Sequence, residues 1–275
     1  MTGLNNKYGD VIGLVPAAGQ ASRLSPLPCS KELIPVGFHC CDKSSRSSLK
    51  VAAHFLFERL RCAGISKAYV ILRKGKWDIP AYFGDGSILG MHIGYLIMRL
   101  PYGTPYTLDQ AWPFIKNARV ALGFPDVIFE PDNAFVPLLE RQEQTGADVV
   151  LGLFPSAQPH KMDMVETDAQ GKVLRIVIKP KQTTLKYSWM IALWTPKFTA
   201  FMHHYLAQVA EKVKAAESDK KGMMRELYLG DVIQAGLASG LQIEAKRFRN
   251  GTCIDLGTPA DLAQAMLDYG PSRSQ

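Results

Sequence analysis

The chain has 275 residues, 47% of them hydrophobic, with 32 basic against 25 acidic side chains and a formal charge of +7. That length and apolar share suit one large α/β domain, and the basic residues are scattered rather than gathered into the dense tract that nucleic-acid contact shows. Five cysteines without CxxC spacing point away from a disulfide framework or a zinc knuckle, while no stretch reaches the ~18 apolar residues of a membrane span and no basic-then-apolar leader opens the chain, so a soluble, cytoplasmic protein with small anionic substrates, no nucleic acid and no membrane is expected.

VIGLVP, residues 11–16, is almost wholly apolar, as a parallel strand buried on both faces requires. From Ser48 the pattern changes. Leu49, Ala52, Ala53, Leu56, Leu60 and Ala63 recur at helical spacing, with Ser48 placed to cap the start and Gly64 the end. AYVIL, residues 68–72, reads as the second strand and completes a right-handed βαβ unit. Further strands are expected over residues 92–98, 119–122 and 147–154, with helices over 107–115 and 133–144. Such alternation means a mostly parallel sheet covered on both faces.

After Phe154 the strands shorten: residues 164–167, a turn at 168–171, then 173–178 and 187–193, an antiparallel texture. Pro196 opens a long helix to about residue 216, whose charged tail AEKVKAAESDKKG is expected to be exposed. A helix over 227–238, a strand over 242–248 and a helix over 259–267, with Pro259 in its first turn, close the chain. Trp189 and Trp194, five apart on one strand, are expected on opposite faces.

Between the first strand and first helix, Ala17-Ala18-Gly19-Gln20-Ala21-Ser22 has almost no side-chain bulk, so its backbone N–H groups can approach and wrap phosphate oxygens. Arg23 adds a forked donor and Lys31 a mobile point charge. Taken alone, the same residues also suit a plain turn with two solvated cations. The spacing matches neither G-x-x-x-x-G-K-[ST] nor G-x-G-x-x-G, which removes P-loop and dinucleotide-binding classes.

The stretch LVPAAGQASRLSPLPCSKELIPVG resembles the N-terminal signature of sugar-1-phosphate nucleotidyltransferases, of the glucose-1-phosphate thymidylyltransferase and UTP–glucose-1-phosphate uridylyltransferase kind. Ser22-Arg23, Pro26, Lys31-Glu32, Leu33-Ile34 and Pro35 carry the match, with Ala18 and Ala21 where many members have glycine. Asp126, after an apolar run, and Asp255, before Gly257-Thr258-Pro259, stand where the family's two metal aspartates stand. Lys179-Pro180 keeps the lysine that holds the sugar phosphate, but Ile178 replaces the usual glutamate beside it. Met162-Asp163-Met164-Val165-Glu166 is similar to the segment that reaches the sugar, and Leu108-Asp109-Gln110-Ala111 to the one that faces the base.

The resemblance implies a Rossmann-like, GT-A-like α/β fold with a smaller antiparallel sugar-binding part, in one domain over residues 1–275. About 1–155 would be the nucleotide half and 156–275 the sugar-phosphate half. It implies a Mg²⁺-dependent enzyme joining a nucleoside triphosphate, dTTP or UTP favoured, to a sugar 1-phosphate, glucose 1-phosphate favoured. Residues 17–22 with Arg23 and Gln110 would bind the nucleotide, Glu166 and Lys179 the sugar phosphate, Asp126 and Asp255 the metal, with Arg23, Lys31 and Lys179 as catalytic cations. A catalytically silent nucleotide- or nucleotide-sugar-binding protein of the same fold is the alternative; the retained Arg23, Lys31, Asp126, Lys179 and Asp255 argue against it. A homo-oligomer is compatible with the sequence.

Overall fold

The computed structural model describes residues 10–39, 48–98, 103–218 and 226–270. In chain order, β1 (Val11–Pro16) precedes a hairpin of β2 (Pro35–His39) and β3 (Ser48–Val51), then α1 (Ala52–Cys62), β4 (Lys67–Leu72), α2 (Asp78–Phe83) and β5 (His92–Ile97). Two short helices, α3 (Thr104–Asp109) and α4 (Trp112–Ile115), lead to β6 (Arg119–Leu122), β7 (Val127–Glu130) and α5 (Phe135–Thr145). There follow β8 (Val149–Pro155), β9 (Asp163–Thr167), β10 (Val173–Ile178), β11 (Tyr187–Trp194), α6 (Pro196–Ser218), α7 (Leu229–Ala238), β12 (Ile243–Arg247), β13 (Thr252–Asp255) and α8 (Pro259–Tyr269).

β1 is apolar on both faces because both are covered. Val11 and Val15 pack with Leu56 and Leu60 of α1, whereas Ile12 and Leu14 face the opposite cluster built with Leu108, Ile115, Phe198 and Val232. Parallel pairing places β1 between β6 and β4, and β5 extends the run beyond β4. This parallel core continues through antiparallel β11 into β9 and β10 on one side, with β8 and β12 branching from β11, in one nine-stranded sheet. The mixed α/β architecture with a parallel centre flanked by helices is as the sequence implies. Outside the large sheet, β7 and β13 form a two-stranded antiparallel ladder. Arg59, 2% exposed, clamps that ladder to α1: its Nε donates to the Phe129 carbonyl at 2.7 Å and its guanidinium pairs with Asp132 at 2.7 Å.

Several local expectations are corrected. Residues 48–51 are strand, not the first turn of a helix, because their backbone pairs with β2, and Leu49 is 54% exposed rather than facing the core. The helix starts at Ala52, where the Val51 N–H donates to His54 Nδ1 at 3.0 Å, so Ser48 caps nothing; Gly64 does end it, at φ +78°. The helix expected over 107–115 is broken in two around Ala111, and Pro113, which has no N–H, falls in the first turn of the second piece. A β-bulge near Met190 reverses the alternation of β11, so Trp189 and Trp194 both enter the cluster beneath α6 and α7. The long helix runs to Ser218; the end of its charged tail, residues 219–222, lies outside the described residues.

Candidate active site

In β6-β1-β4 the chain order reverses beside β1, and the loops that follow these parallel strands open a crevice at their carboxyl ends. The Ala17 N–H donates to the Ile71 carbonyl at 2.8 Å, tying the loop after β1 to the end of β4. That amide is therefore spent on the protein, and Ala17, 1% exposed, roots the loop instead of facing a ligand. Beyond it, Ala18, Gly19, Gln20 and Ser22 line a cleft of about 830 Å³. Ala21 holds a left-handed backbone at φ 52°, a conformation glycine adopts freely and alanine does not.

Lys31 sits on a single 3-10 turn, Lys31–Leu33. Just before it, the Ser30 N–H and hydroxyl donate to the two Asp78 oxygens at 2.6 and 2.7 Å. The Lys31 ammonium forms a direct ion pair with Asp126, and both line the cleft. Burial lowers the Lys31 pKa, but Asp126, with Glu32 and Asp255, outweighs it and holds the ammonium above its ordinary range. Asp126 closes the short turn between β6 and β7. Gly123 lets that turn pass over α1, since a Cβ there would lie 2.2 Å from Leu56 Cδ1.

The β7–β13 ladder carries the second aspartate to the first. Asp255 pairs with Val127, and the Leu256 N–H donates to the Asp126 carbonyl at 2.9 Å. Burial first and the neighbouring Asp126 charge second push the Asp255 carboxyl up to about 6, against the pull of Lys31 and Arg23. Arg23 reaches the same place because residue 257 is glycine: a Cβ there would stand 3.0 Å from Arg23 Nη2 and 3.2 Å from Asp255 Oδ1.

A second cleft, of about 500 Å³, is lined by Arg23, Asp255, Gly257, Lys179 and Met162. Lys179 adopts φ 40° and sets its Nζ 3.7 Å from the centre of the Tyr228 ring. Cys253, also on this cleft, is a protonated thiol, its pKa pushed up to about 12 by burial and then by Asp255. Lys31 and Asp126 on the first cleft and Arg23 and Asp255 on the second form one charged cluster, so the clefts meet there.

Two expected contacts are not brought to either cleft. Gln110 caps α3, with its Nε2 donating to the Tyr106 carbonyl at 3.4 Å, and lines neither. Glu166 pairs with Arg175 across the β9–β10 hairpin and lines neither. Sequence reasoning in turn missed Glu32 as a structural residue: 1% exposed, it accepts from Lys76 Nζ on both oxygens at 2.7 Å. It also missed Arg73 and Lys74 on the first cleft, although the run Arg73-Lys74-Gly75-Lys76 directly after a parallel strand was a legible signal.

The donor set fits a divalent cation. Two carboxylates neighbour each other, one of them resisting ionisation through burial first and the adjacent charge second, and hard oxygen donors of low number suit a divalent ion completed by substrate phosphate and water. Among the described residues no group of three or more His, Cys, Asp and Glu that could hold a metal ion gathers, here or elsewhere.

The family model for nucleotidyl transferases matches residues 12–271. The chain belongs to this nucleotidyl transferase family. The chain is 25% identical over 256 residues to the low-salt glycan biosynthesis nucleotidyltransferase Agl11 of Haloferax volcanii, covering 92% of the chain and 64% of that protein. It is 28% identical over 260 residues to a glucose-1-phosphate thymidylyltransferase of Actinoplanes sp., covering 94% of the chain and 77% of that enzyme. A mannose-1-phosphate guanylyltransferase of Mycobacterium tuberculosis matches at 24% identity, over 94% of the chain and 64% of that enzyme. The chain thus spans just under two thirds of the length of the first and third relatives. A solved UDP-glucose pyrophosphorylase from Acinetobacter baumannii shares the fold at a TM-score of 0.74 and 16% identity, over 97% of the chain and 95% of that one. A Bacillus anthracis protein solved with sucrose shares it at 0.75 and 21%, over 94% and 95%. No helix of the described residues is long and apolar enough to cross a membrane.

Proposed function

We propose that this nucleotidyl transferase joins a nucleoside triphosphate to a sugar 1-phosphate and releases pyrophosphate. The observation that carries this is the meeting of two polar clefts at one cluster of Arg23, Lys31, Asp126 and Asp255. The first cleft is the place of the triphosphate, along residues 18–22. The second, with Lys179, is the place of the sugar phosphate. The names of the relatives favour dTTP or UTP and glucose 1-phosphate.

A phosphate oxygen of the sugar phosphate attacks the α-phosphorus in line. The new P–O bond forms as the bond to the β-phosphate breaks, and its electron pair leaves with pyrophosphate. Both reactants are anions, so the chain's work is to hold them together and offset their charge. Lys179 holds the attacking phosphate, and Arg23 and Lys31 bear on the triphosphate and the charge that develops on its leaving part. Asp126 and Asp255 would hold Mg²⁺, which when bound supplies positive charge to the α-phosphate oxygens.

The test is a pyrophosphate-release screen crossing dTTP, UTP, CTP, ATP and GTP with a panel of sugar 1-phosphates, with Mg²⁺ and with chelator. Release from at least one pair, abolished by chelator, is expected. Nucleotide binding with no release from any pair overturns the proposal.

A further inference from the structure

Six charged side chains line the first cleft: Lys31, Glu32, Arg73, Lys74, Asp126 and Glu226. Half of these charges are already neutralised by the protein. Lys31 pairs with Asp126, and Glu32 pairs with Lys76. Glu226 packs beside Gly103, where α3 begins, its Cγ 3.5 Å from a Cβ built on that glycine. Among the described residues Arg73, Lys74 and Glu226 make no ion pair or side-chain hydrogen bond, and the first two of the three are cations. The cations with charge to spare on this cleft are therefore these two, not the lysine of the signature.

Their placement is also fixed. Arg73 follows the last residue of β4, the parallel neighbour of β1, and the two strand ends are tied by the Ala17 N–H to Ile71 carbonyl bond. Arg73 therefore emerges beside the small-residue loop, and it lines both the main cleft and an adjoining recess of about 450 Å³ with Gly19, Gln20 and Lys31. The turn Arg73-Lys74-Gly75-Lys76 is closed by the Lys76 N–H donating to the Arg73 carbonyl at 3.3 Å. Gly75, at φ +98°, allows that turn. Lys76 then drives inward to Glu32, which neighbours Lys31 in sequence, so a buried ion pair clamps the basic turn against the signature loop. A forked guanidinium presented by a fixed turn suits paired phosphate oxygens.

We propose that Arg73, with Lys74 beside it, grips the outer phosphates of the triphosphate and the pyrophosphate that leaves. The proposal rests on the nucleotidyl-transfer reading for the meaning of the cleft, and it extends the site to a strand end that the signature does not include. The recess beside Gly19, lined by Lys31 and Arg73 but not by Asp255 or Lys179, receives the end of the nucleotide opposite to the acceptor.

Equilibrium titration of the full chain with inorganic pyrophosphate, dTTP, UTP, dTMP and UMP tests it. In Arg73→Gln the affinities for pyrophosphate and for the triphosphate that binds should fall about tenfold or more, as loss of a charge-assisted contact does, while the matching monophosphate binds as before. Lys74→Gln should show the same selectivity with a smaller fall, and Arg73→Lys should recover part of the loss. Unchanged melting temperatures would accompany this, because the Arg73 side chain has no ion-pair or hydrogen-bond partner among the described residues to lose. Equal losses for tri- and monophosphate, no loss for pyrophosphate, or a wild-type chain that binds no pyrophosphate would each overturn the assignment. Pyrophosphate held through Arg73 by a protein that transfers no nucleotide would overturn the transfer reading alone.

Discussion

Lys31 and Asp126 are in direct ion-pair contact across the mouth of the crevice, one from the turn after β1 and the other from the loop after β6. The lysine thus occupies the flank of a carboxylate that is proposed to hold a metal. Its charge keeps two neighbouring aspartates tolerable when no ion is bound, and a divalent ion would take over that task.

On the proposed function, replacing Asp126 removes an anchor for positive charge at the reacting phosphate. Asp126→Ala is expected to lower pyrophosphate release by roughly a hundredfold or more, ~3 kcal/mol of transition-state stabilisation, with the fold intact by circular dichroism. Arg23→Ala should cost about as much. Near-normal turnover in either variant would remove that residue from the site.

The second aspartate makes stability pH-dependent in the metal-free protein. Its folded pKa is raised, to about 6 from 3.8, so the native state binds the proton more tightly than the unfolded chain. The contribution is present in full below pH ~4 and is lost as pH rises through ~6, a change of ~2–3 kcal/mol at most. Asp255→Asn should be more stable than wild type at pH 7.5 in chelator and should flatten the pH dependence between 4 and 6. Denaturant unfolding across that range is the measurement; a wild-type chain that gains stability between pH 4 and 6 from this residue would contradict it.

Glu32 and Lys76 should behave as a structural pair. Glu32→Gln leaves a buried ammonium without its counter-charge and is expected to cost ~3 kcal/mol. The double variant Glu32→Met with Lys76→Met should recover most of that loss, since no uncompensated charge is then buried. Equal destabilisation by the single and double variants would show that the pair itself was not the cause.

At Ala21 the backbone, not the side chain, is under load. An L-residue in the left-handed region costs ~1 kcal/mol relative to glycine, partly offset by the extra freedom glycine has when unfolded. Ala21→Gly should therefore leave stability unchanged or raise it by ~0.5–1 kcal/mol, and thermal unfolding would register a loss if the loop instead needed the methyl group.

The parallel core was legible because β1 and β4 are apolar on both faces and α1 carries a strong periodic stripe. Residues 48–51 misled because Leu49 continues that stripe by coincidence, while the backbone there is taken by β2. Trp189 and Trp194 misled because alternation presumes an unbroken strand, and one extra residue near Met190 flips the parity. The crevice loop and both aspartates were visible as a signature, but not what joins them: the ladder that brings Asp255 to Asp126 consists of two four-residue strands, too short to announce themselves. Glu32 reads as half of a Lys-Glu motif in sequence, yet its partner Lys76 lies beyond a whole helix and strand. Glu166 and Gln110 are engaged by Arg175 and by the Tyr106 carbonyl, partners that their places in the sequence do not announce.

The small ribbon of β7 and β13 has a mechanical consequence. Asp255 sits on the end rung of a ladder outside the nine-stranded sheet, and Asp126 lies one residue beyond that rung, its carbonyl bonded to the Leu256 N–H. Backbone hydrogen bonds thus tie the main chains of the two acids to each other. Any movement of this ribbon against the large sheet would carry the backbones of both acids together, leaving only their side-chain torsions to adjust to an ion.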